Sequence, residues 1–291
     1  MKSGFVAIVG KPNVGKSTIL NAIIGSKISI VTSKNQTTRN SIQGIYNDDD
    51  SQIIFIDTPG IHKPRSVLGE MMDKASYSSI RDCDIALFIV DASKKFDEGD
   101  QYLFDHLNFD CKLIVVFNKI DETNIELISE LKKKYQERYN PINIIETSAI
   151  EKFGLDDLIK SIKNNLEEGP QYYDVNTVTN MDLAFRIQEI IREKMLVLLK
   201  EEVPHSTTVI CTDIVKDSNP LEIYCKIIVE KESQKSIVIG SKGKMIKKIG
   251  IRARHDIEYM MGRHIDLKLL VQVVENWRNS NKFLNKTWFR E

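Results

Sequence analysis

The chain has 291 residues, of which 42% are hydrophobic and 28% charged, with 41 basic residues balanced by 41 acidic ones. That length exceeds what one compact core ordinarily spans, and the composition excludes a disordered or collagen-like chain. The zero net charge excludes a polyanion partner recruited by overall charge, so the placement of charge decides instead. Four cysteines, Cys83, Cys111, Cys211 and Cys225, show neither CxxC pairing nor zinc-ligand spacing and read as reduced thiols. Apolar stretches such as Met195 to Leu199 fall far short of the ~20 residues a spanning helix needs. Phe5 to Val9 is too short for a signal-peptide core, so a cytoplasmic chain is expected.

From Phe5 to about Leu166, short β-branched runs alternate with stretches of helical period, predicting an α/β domain with a mostly parallel sheet and helices on both faces. Strands are expected at Phe5–Val9, Ser41–Tyr46, Gln52–Ile56, Ile85–Asp91, Leu113–Asn118 and Ile142–Glu146. Helices are expected at Ser17–Ile24, Gly69–Arg81, Glu98–Leu107, Ile125–Tyr139 and Leu155–Leu166. The polar turn at Asn47–Ser51 pairs the second and third runs as an antiparallel hairpin at one edge. Glu167–Asn180, with a Gly-Pro and two tyrosines but no period, reads as a linker. Next come a helix (Met181–Leu199), two strands (Thr207–Val215, Leu221–Glu230), a short run into Gly240, a long helix (Met245–Met261) and a strand (Ile265–Val274). This α-β-β-α-α-β order predicts a second, smaller α+β domain. The expected organisation is residues 1–170, a linker at 171–180, a domain at 181–275 and a tail at 276–291. The tail mixes Trp277, Phe283, Leu284, Trp288 and Phe289 with basic residues, which suits base stacking, an interfacial helix or packing on the preceding domain. Charge is uneven: 21 basic against 26 acidic residues through Asn180, and 20 against 15 beyond it.

Gly10-Lys11-Pro12-Asn13-Val14-Gly15-Lys16-Ser17 fits G-x-x-x-x-G-K-[ST] between an apolar strand and a helix. Its glycines let the backbone wrap closely around phosphates, and successive N–H groups with the helix N-terminus point at negative charge. Gly10, Asn13, Val14, Gly15, Lys16, Ser17 and Thr18 are the expected phosphate-binding set, with Lys16 on the β- and γ-phosphates and Ser17 on Mg²⁺. Asp57-Thr58-Pro59-Gly60 follows the third strand, placing Asp57 to hold Mg²⁺ through water and the Gly60 N–H to sense a γ-phosphate.

Asn118-Lys119-Ile120-Asp121 closes the fifth strand. The Asp121 carboxylate can accept from both N1–H and the exocyclic amine of guanine, whereas adenine would leave it unpaired. A site of that kind can reject the wrong analogue by roughly ten-thousand-fold. Ser148 and Ala149, in Thr147-Ser148-Ala149, complete the base pocket through a backbone N–H, so GTP and GDP are the expected ligands.

In this order, the four segments resemble the motif set of translation-factor-class GTPases. In that family a threonine ahead of the second strand closes over Mg²⁺; Gln36-Thr37-Thr38-Arg39 occupies that place, and Thr38 is preferred to Thr37. The resemblance implies Lys16, Thr38 and Gly60 as the catalytic set and Ser17, Thr38 and Asp57 as metal ligands. Ile61 stands where many relatives carry a glutamine that orients water, a task an aliphatic side chain cannot do. His62 is the nearest replacement, against the plainer reading of a surface histidine. Some members of the group use a monovalent cation held in part by an asparagine at the place of Asn13, which implies K⁺.

Gly240-Ser241-Lys242-Gly243 joins the short apolar run to the long helix. Six basic residues lie between Lys242 and Arg254 with no acid, an electrostatic footprint for a polyanion. Gly240 and Gly243 allow close approach of a sugar-phosphate backbone; Ser241, Lys242, Lys244, Lys247, Lys248 and Arg252 complete the expected RNA-binding set, while Met245, Ile246 and Ile249 are expected in the core. With the α-β-β-α-α-β order, this loop resembles a type II KH domain, whose loop clamps about four nucleotides of single-stranded RNA. The whole chain then resembles the ribosome-associated bacterial GTPases that join these two domains. That family implies binding near the 3′ end of small-subunit ribosomal RNA, assistance to assembly of the 30S subunit, a monomer, and loose association with the cytoplasmic face of the membrane. Two other readings stay open: a GTP-sensing RNA-binding module with negligible hydrolysis, suggested by Ile61, and a membrane-associated regulatory GTPase, suggested by the tail. Asp121 counts against an ATPase or kinase. Asp121→Asn should change the preference among purine triphosphates, measured by competition of ATP and GTP against a labelled guanine nucleotide; an unaltered preference removes the base assignment.

Overall fold

The computed structural model describes residues 1–32, 34, 37–60, 66–107 and 110–287. Its contacts divide it into two compact units, one of residues up to 180 and the other of residues from 181 on, with the described residues 66–68 grouping with the second. The N-terminal run comprises β1 (Lys2–Gly10), α1 (Lys16–Ile24), β2 (Ile42–Asn47), β3 (Ser51–Asp57), α2 (Val67–Arg81), β4 (Ile85–Asp91), α3 (Glu98–His106), β5 (Lys112–Asn118), α4 (Ile125–Tyr139), β6 (Asn143–Thr147) and α5 (Leu155–Asn165). The strands form one sheet in the order β2-β3-β1-β4-β5-β6, parallel except for the β2–β3 hairpin.

Alternate residues of β1 enter opposite cores. Val6 and Ile8 pack with Leu20 of α1 and Ile162 of α5, while Ala7 and Val9 pack with Phe88, Phe104 and Tyr135. A strand buried on both faces must be apolar throughout, which is why these runs lack a polar alternation. Because the strands are parallel, β1, β3, β5 and β6 end at one edge of the sheet and deliver Gly10, Asp57, Asn118 and Thr147 there. In open α/β sheets the loops beyond the carboxyl ends of the strands form the ligand crevice.

Residues 171–180, expected as a linker, instead lie along the outer side of β2. The Ile45 N–H donates to the Val178 carbonyl at 3.0 Å, and the Thr179 hydroxyl donates to the Gln43 carbonyl at 2.6 Å. Gln52 grips the same segment with three bonds, accepting from the Tyr172 and Tyr173 N–H groups at 2.7 and 2.9 Å and donating to the Tyr173 carbonyl at 2.8 Å. The unpaired edge of β2 presents backbone donors and acceptors that need partners. Such bonds do not depend on apolar periodicity, so the segment reads as a linker in sequence.

The second unit comprises α6 (Leu183–Leu198), β7 (Thr208–Val215), β8 (Leu221–Val229), α7 (Glu232–Ile239), α8 (Lys244–Met261), β9 (Ile265–Val273) and a short α9 (Asn281–Thr287). The short run into Gly240 is thus a helix. Its sheet runs β7-β8-β9, with β8 antiparallel to β7 and parallel to β9. Ile187, Ile191 and Met195 of α6 and Ile249, Ala253 and Ile257 of α8 bury against that sheet.

The tail is part of this unit through Thr287, because Trp277 and Leu284 are fully buried and the Trp277 indole N–H donates to the Ser206 carbonyl at 3.0 Å. The Arg278 guanidinium meets the Glu230 carboxylate through two bonds, at 3.1 and 2.6 Å. Trp277 and Leu284 are therefore unavailable for stacking or membrane contact; Trp288 and Phe289 lie outside the described residues. Trp277→Ala should destabilise the second unit by about 3–5 kcal/mol. Urea unfolding of the full chain checks this, with guanine-nucleotide affinity left intact at low denaturant.

Candidate functional site

The phosphate loop is shaped by what its glycines exclude. Gly10 and Gly15 have φ of 147° and 101°; a Cβ on Gly10 would lie 2.4 Å from the Ile89 carbonyl oxygen, and one on Gly15 would lie 2.2 Å from the Asn118 Nδ2. Asn13 takes the left-handed conformation at φ 64°, which asparagine tolerates better than most residues. Gly60 comes so close that a Cβ would lie 3.1 Å from the Pro12 nitrogen. Asn13, Lys16, Ser17, Thr18, Thr38 and Gly60 line one cleft.

Lys16 is 6% exposed, and its ammonium folds back onto the Gly10 and Lys11 carbonyls at 3.0 and 2.9 Å. Burial pushes its pKa down to about 8, against the opposing pull of Asp57. Asp57 is fully buried, and burial raises its carboxyl above the ordinary range despite Lys16 and the neighbouring hydroxyls. One oxygen of Asp57, Oδ2, accepts from Ser17 Oγ at 2.6 Å and from Ser29 Oγ at 2.9 Å. Ser17 Oγ lies 2.9 Å from Thr38 Oγ1. By contrast the Thr37 hydroxyl turns back to the Lys34 carbonyl at 2.6 Å. Asp57 Oδ1 is buried with no partner among the described residues. An orphaned carboxylate oxygen beside two hydroxyls is a donor set of the all-oxygen kind that Mg²⁺ takes, so the residues present fit that ion. Gln36, Ile61 and His62 lie outside the described residues.

Asn118 ties the loops expected to read the base to the loop after β1: its Nδ2 donates to the Val14 carbonyl at 2.9 Å, and its Oδ1 accepts from the Ala149 N–H at 3.1 Å and the Thr147 hydroxyl at 3.3 Å. Ser148 is buried and its N–H is bonded to the Phe153 carbonyl. Asp121 stands exposed in the short 3₁₀ turn Ile120–Glu122. Sequence reasoning missed three supports. Lys11 reaches Asp97 and Asp100 at the start of α3, both at 3.0 Å; Lys119 reaches Asp91 at 2.7 Å; and Ser29 holds Asp57. Only the first left a trace in sequence, because Asp97 and Asp100 form the capping box of α3.

In the second unit, Gly240 has φ 72° and a Cβ there would lie 2.7 Å from the Met245 Cβ; Gly243 has φ 74° and begins α8. Lys242 is itself left-handed at φ 51°, and Ser241, Lys242, Lys244, Lys247, Lys248 and Arg252 are exposed. Ile249 is in the core and Met245 and Ile246 pack against it, as expected, and Ile246 also lines a groove between α8 and β9 together with Ile251, Arg254, Asp266, Leu267 and Leu269. This apolar floor escaped the sequence reading because helical period separates core from surface but does not reveal a groove between two elements. A further outcome concerns Lys16. Burial brings loss of its proton to about pH 8, whereas phosphates bound against it would hold it protonated. Binding above that point takes up a proton, so GDP affinity should fall by up to about tenfold per pH unit above pH 8. Titration with labelled GDP between about pH 7 and 9 checks this, and Lys16→Met should bind weakly without that slope.

Comparison with known proteins agrees with this geometry. The 50S ribosome-binding GTPase family matches residues 5–119, and the KH domain family matches residues 202–278. GTPase Era of Thermosipho melanesiensis is 46% identical over 284 residues, covering 97% of this chain and 95% of the relative. The structure of an Era variant of Aquifex aeolicus bound to GDP·AlF4⁻ aligns with a TM-score of 0.95 at 38% identity, over 99% of each chain. An Era complex with MgGDPNP and nucleotides 1506–1542 of 16S ribosomal RNA aligns with a TM-score of 0.95 at 37% identity, again over 99% of each chain. A P-loop GTPase domain followed by a KH domain, with this extent of identity along the whole length, places the chain in the Era family of GTPases.

Proposed function

We propose that this GTPase acts as a Mg²⁺-dependent switch that binds single-stranded RNA at the 3′ end of the small-subunit ribosomal RNA and assists assembly of that subunit. The observation that carries the RNA reading is the groove beside α8. Lys247 and Arg254 line it with the apolar Ile246, Ile251, Leu267 and Leu269 and one acid, Asp266, while Lys242, Lys244, Lys248 and Arg252 stand exposed on the glycine loop and on α8. Cations supply the phosphate contacts and the floor receives unstacked bases. The Era relative bound to 16S ribosomal RNA supports the choice of partner.

In the nucleotide site, Lys16 neutralises charge on the β- and γ-phosphates while the loop N–H groups hold them. Ser17, Thr38 and Asp57 would hold Mg²⁺, which supplies charge neutralisation at the phosphates when bound. Asp121 selects guanine, and Asn118 sets its loop against the phosphate loop. Asn13 is the residue we assign to a K⁺ ion. Ordering of the chain around Thr38 and Gly60 by GTP changes RNA affinity in this reading. The protein acts as a cytoplasmic monomer, and any membrane contact is peripheral; no helix among the described residues is long and apolar enough to cross a membrane.

The double substitution Lys242→Ala with Lys244→Ala should weaken binding of a labelled RNA oligonucleotide from the small-subunit 3′ end. It should also flatten the dependence of log affinity on log salt by roughly 1.4, about 0.7 for each single-strand phosphate that the two lysines no longer neutralise. Fluorescence anisotropy over a salt titration checks this, with unstimulated GTP hydrolysis as the control. An unchanged slope removes the loop from the RNA site, and equal RNA affinity with GTP, GDP and no nucleotide removes the switch.

A further inference from the structure

The chain between α1 and Thr38 is fastened at its start by one side chain. Asn21 on α1 accepts from the N–H groups of Ile28 and Ser29, both at 3.0 Å, and donates to the Ser29 carbonyl at 2.7 Å. A side-chain amide both accepts and donates, so one residue satisfies both edges of this backbone. Ile28 and Ile30 are buried on either side of Ser29, which is itself 1% exposed. With its backbone so fixed, the Ser29 hydroxyl donates to Asp57 Oδ2 at 2.9 Å, the oxygen that also takes the Ser17 hydroxyl, while Oδ1 is left without a partner among the described residues.

We infer that Ser29, held in place by Asn21, is a positioning residue for the metal site: it fixes the rotation of the Asp57 carboxylate so that its unpartnered oxygen serves the ion. The inference rests on the reading of Ser17, Thr38 and Asp57 as the Mg²⁺ site. Ser17 and Thr38 belong to that site themselves, and their hydroxyls must turn to an arriving ion. Ser29 does not, and its donor comes from backbone anchored to α1. The Ser29 bond therefore keeps Asp57 oriented whether or not ion and nucleotide are present. Without that bond the carboxylate rotates before it can engage the metal, and metal affinity falls while the nucleotide's own contacts are unaltered. Partners of this outer kind ordinarily change metal affinity 10- to 100-fold.

The test is the release rate of fluorescent mant-GDP from the full chain, followed over a MgCl₂ titration and in EDTA. Ser29→Ala should raise the Mg²⁺ concentration that half-maximally slows release by roughly tenfold or more, and leave release in EDTA at the wild-type rate. Asn21→Ala keeps the Ser29 hydroxyl but frees its backbone, and should shift the titration in the same direction; it carries the test if Ser29→Ala fails to fold. Ser29→Thr, which retains the hydroxyl, should restore the wild-type midpoint. A wild-type midpoint in Ser29→Ala overturns the inference, as does faster release by the same factor in Mg²⁺ and EDTA, which marks a loosened loop. If Mg²⁺ does not slow release from the wild-type protein, the Mg²⁺ reading itself fails, and that result is distinct from either outcome.

Discussion

The buried amide of Asn118 is the joint on which the nucleotide site depends. It donates to the phosphate loop at Val14 and accepts from Ala149 and Thr147 beyond β6, so three loops from three strands share one side chain. Gly15 lies directly over it, leaving no space for a Cβ, and the glycine and the asparagine are therefore one constraint expressed at two positions. Since buried amide groups are costly when unpaired, the three loops hold one another in register even with no ligand present.

The charges beneath the phosphates are arranged differently. Lys16 and Asp57 are both buried, and burial displaces each against its charged form, the lysine downward and the aspartate upward. Hydroxyls of Ser17 and Ser29 satisfy one carboxylate oxygen and leave the other without a partner among the described residues. Lys16 and Asp57 are each the other's counter-charge, and the pull between them only partly opposes the cost of burial.

The second unit solves another electrostatic problem. The cations of its glycine loop and of the outer side of α8, Lys242, Lys244, Lys247, Lys248 and Arg252, are exposed. Long-range attraction to a polyanion needs solvent-accessible charge, whereas the loop after β1 is shaped by buried groups at fixed distances, Lys16 and Asn118 among them. The two units of the chain divide these demands.

Order and type of the regular elements were legible in the sequence because a strand buried on both faces and a helix packed on one leave distinct periods. The loops at the strand ends were legible as well, since a backbone with positive φ at Gly10 and Gly15 and no room for a Cβ confines residue types to fixed places. Contacts made by backbone or by isolated polar side chains were not. The grip of Gln52 on residues 172–173, the Lys119–Asp91 pair and the groove floor at Ile251 and Leu267 all join residues far apart in the chain. The sequence by itself determined which ligand chemistry the strand ends can serve, because local conformation and residue type carry that information. Only the tertiary structure decided which hydroxyl, Thr38 or Thr37, faces Asp57, that Ser29 reaches it too, and that Trp277 is core, because each depends on where folding brings distant segments together.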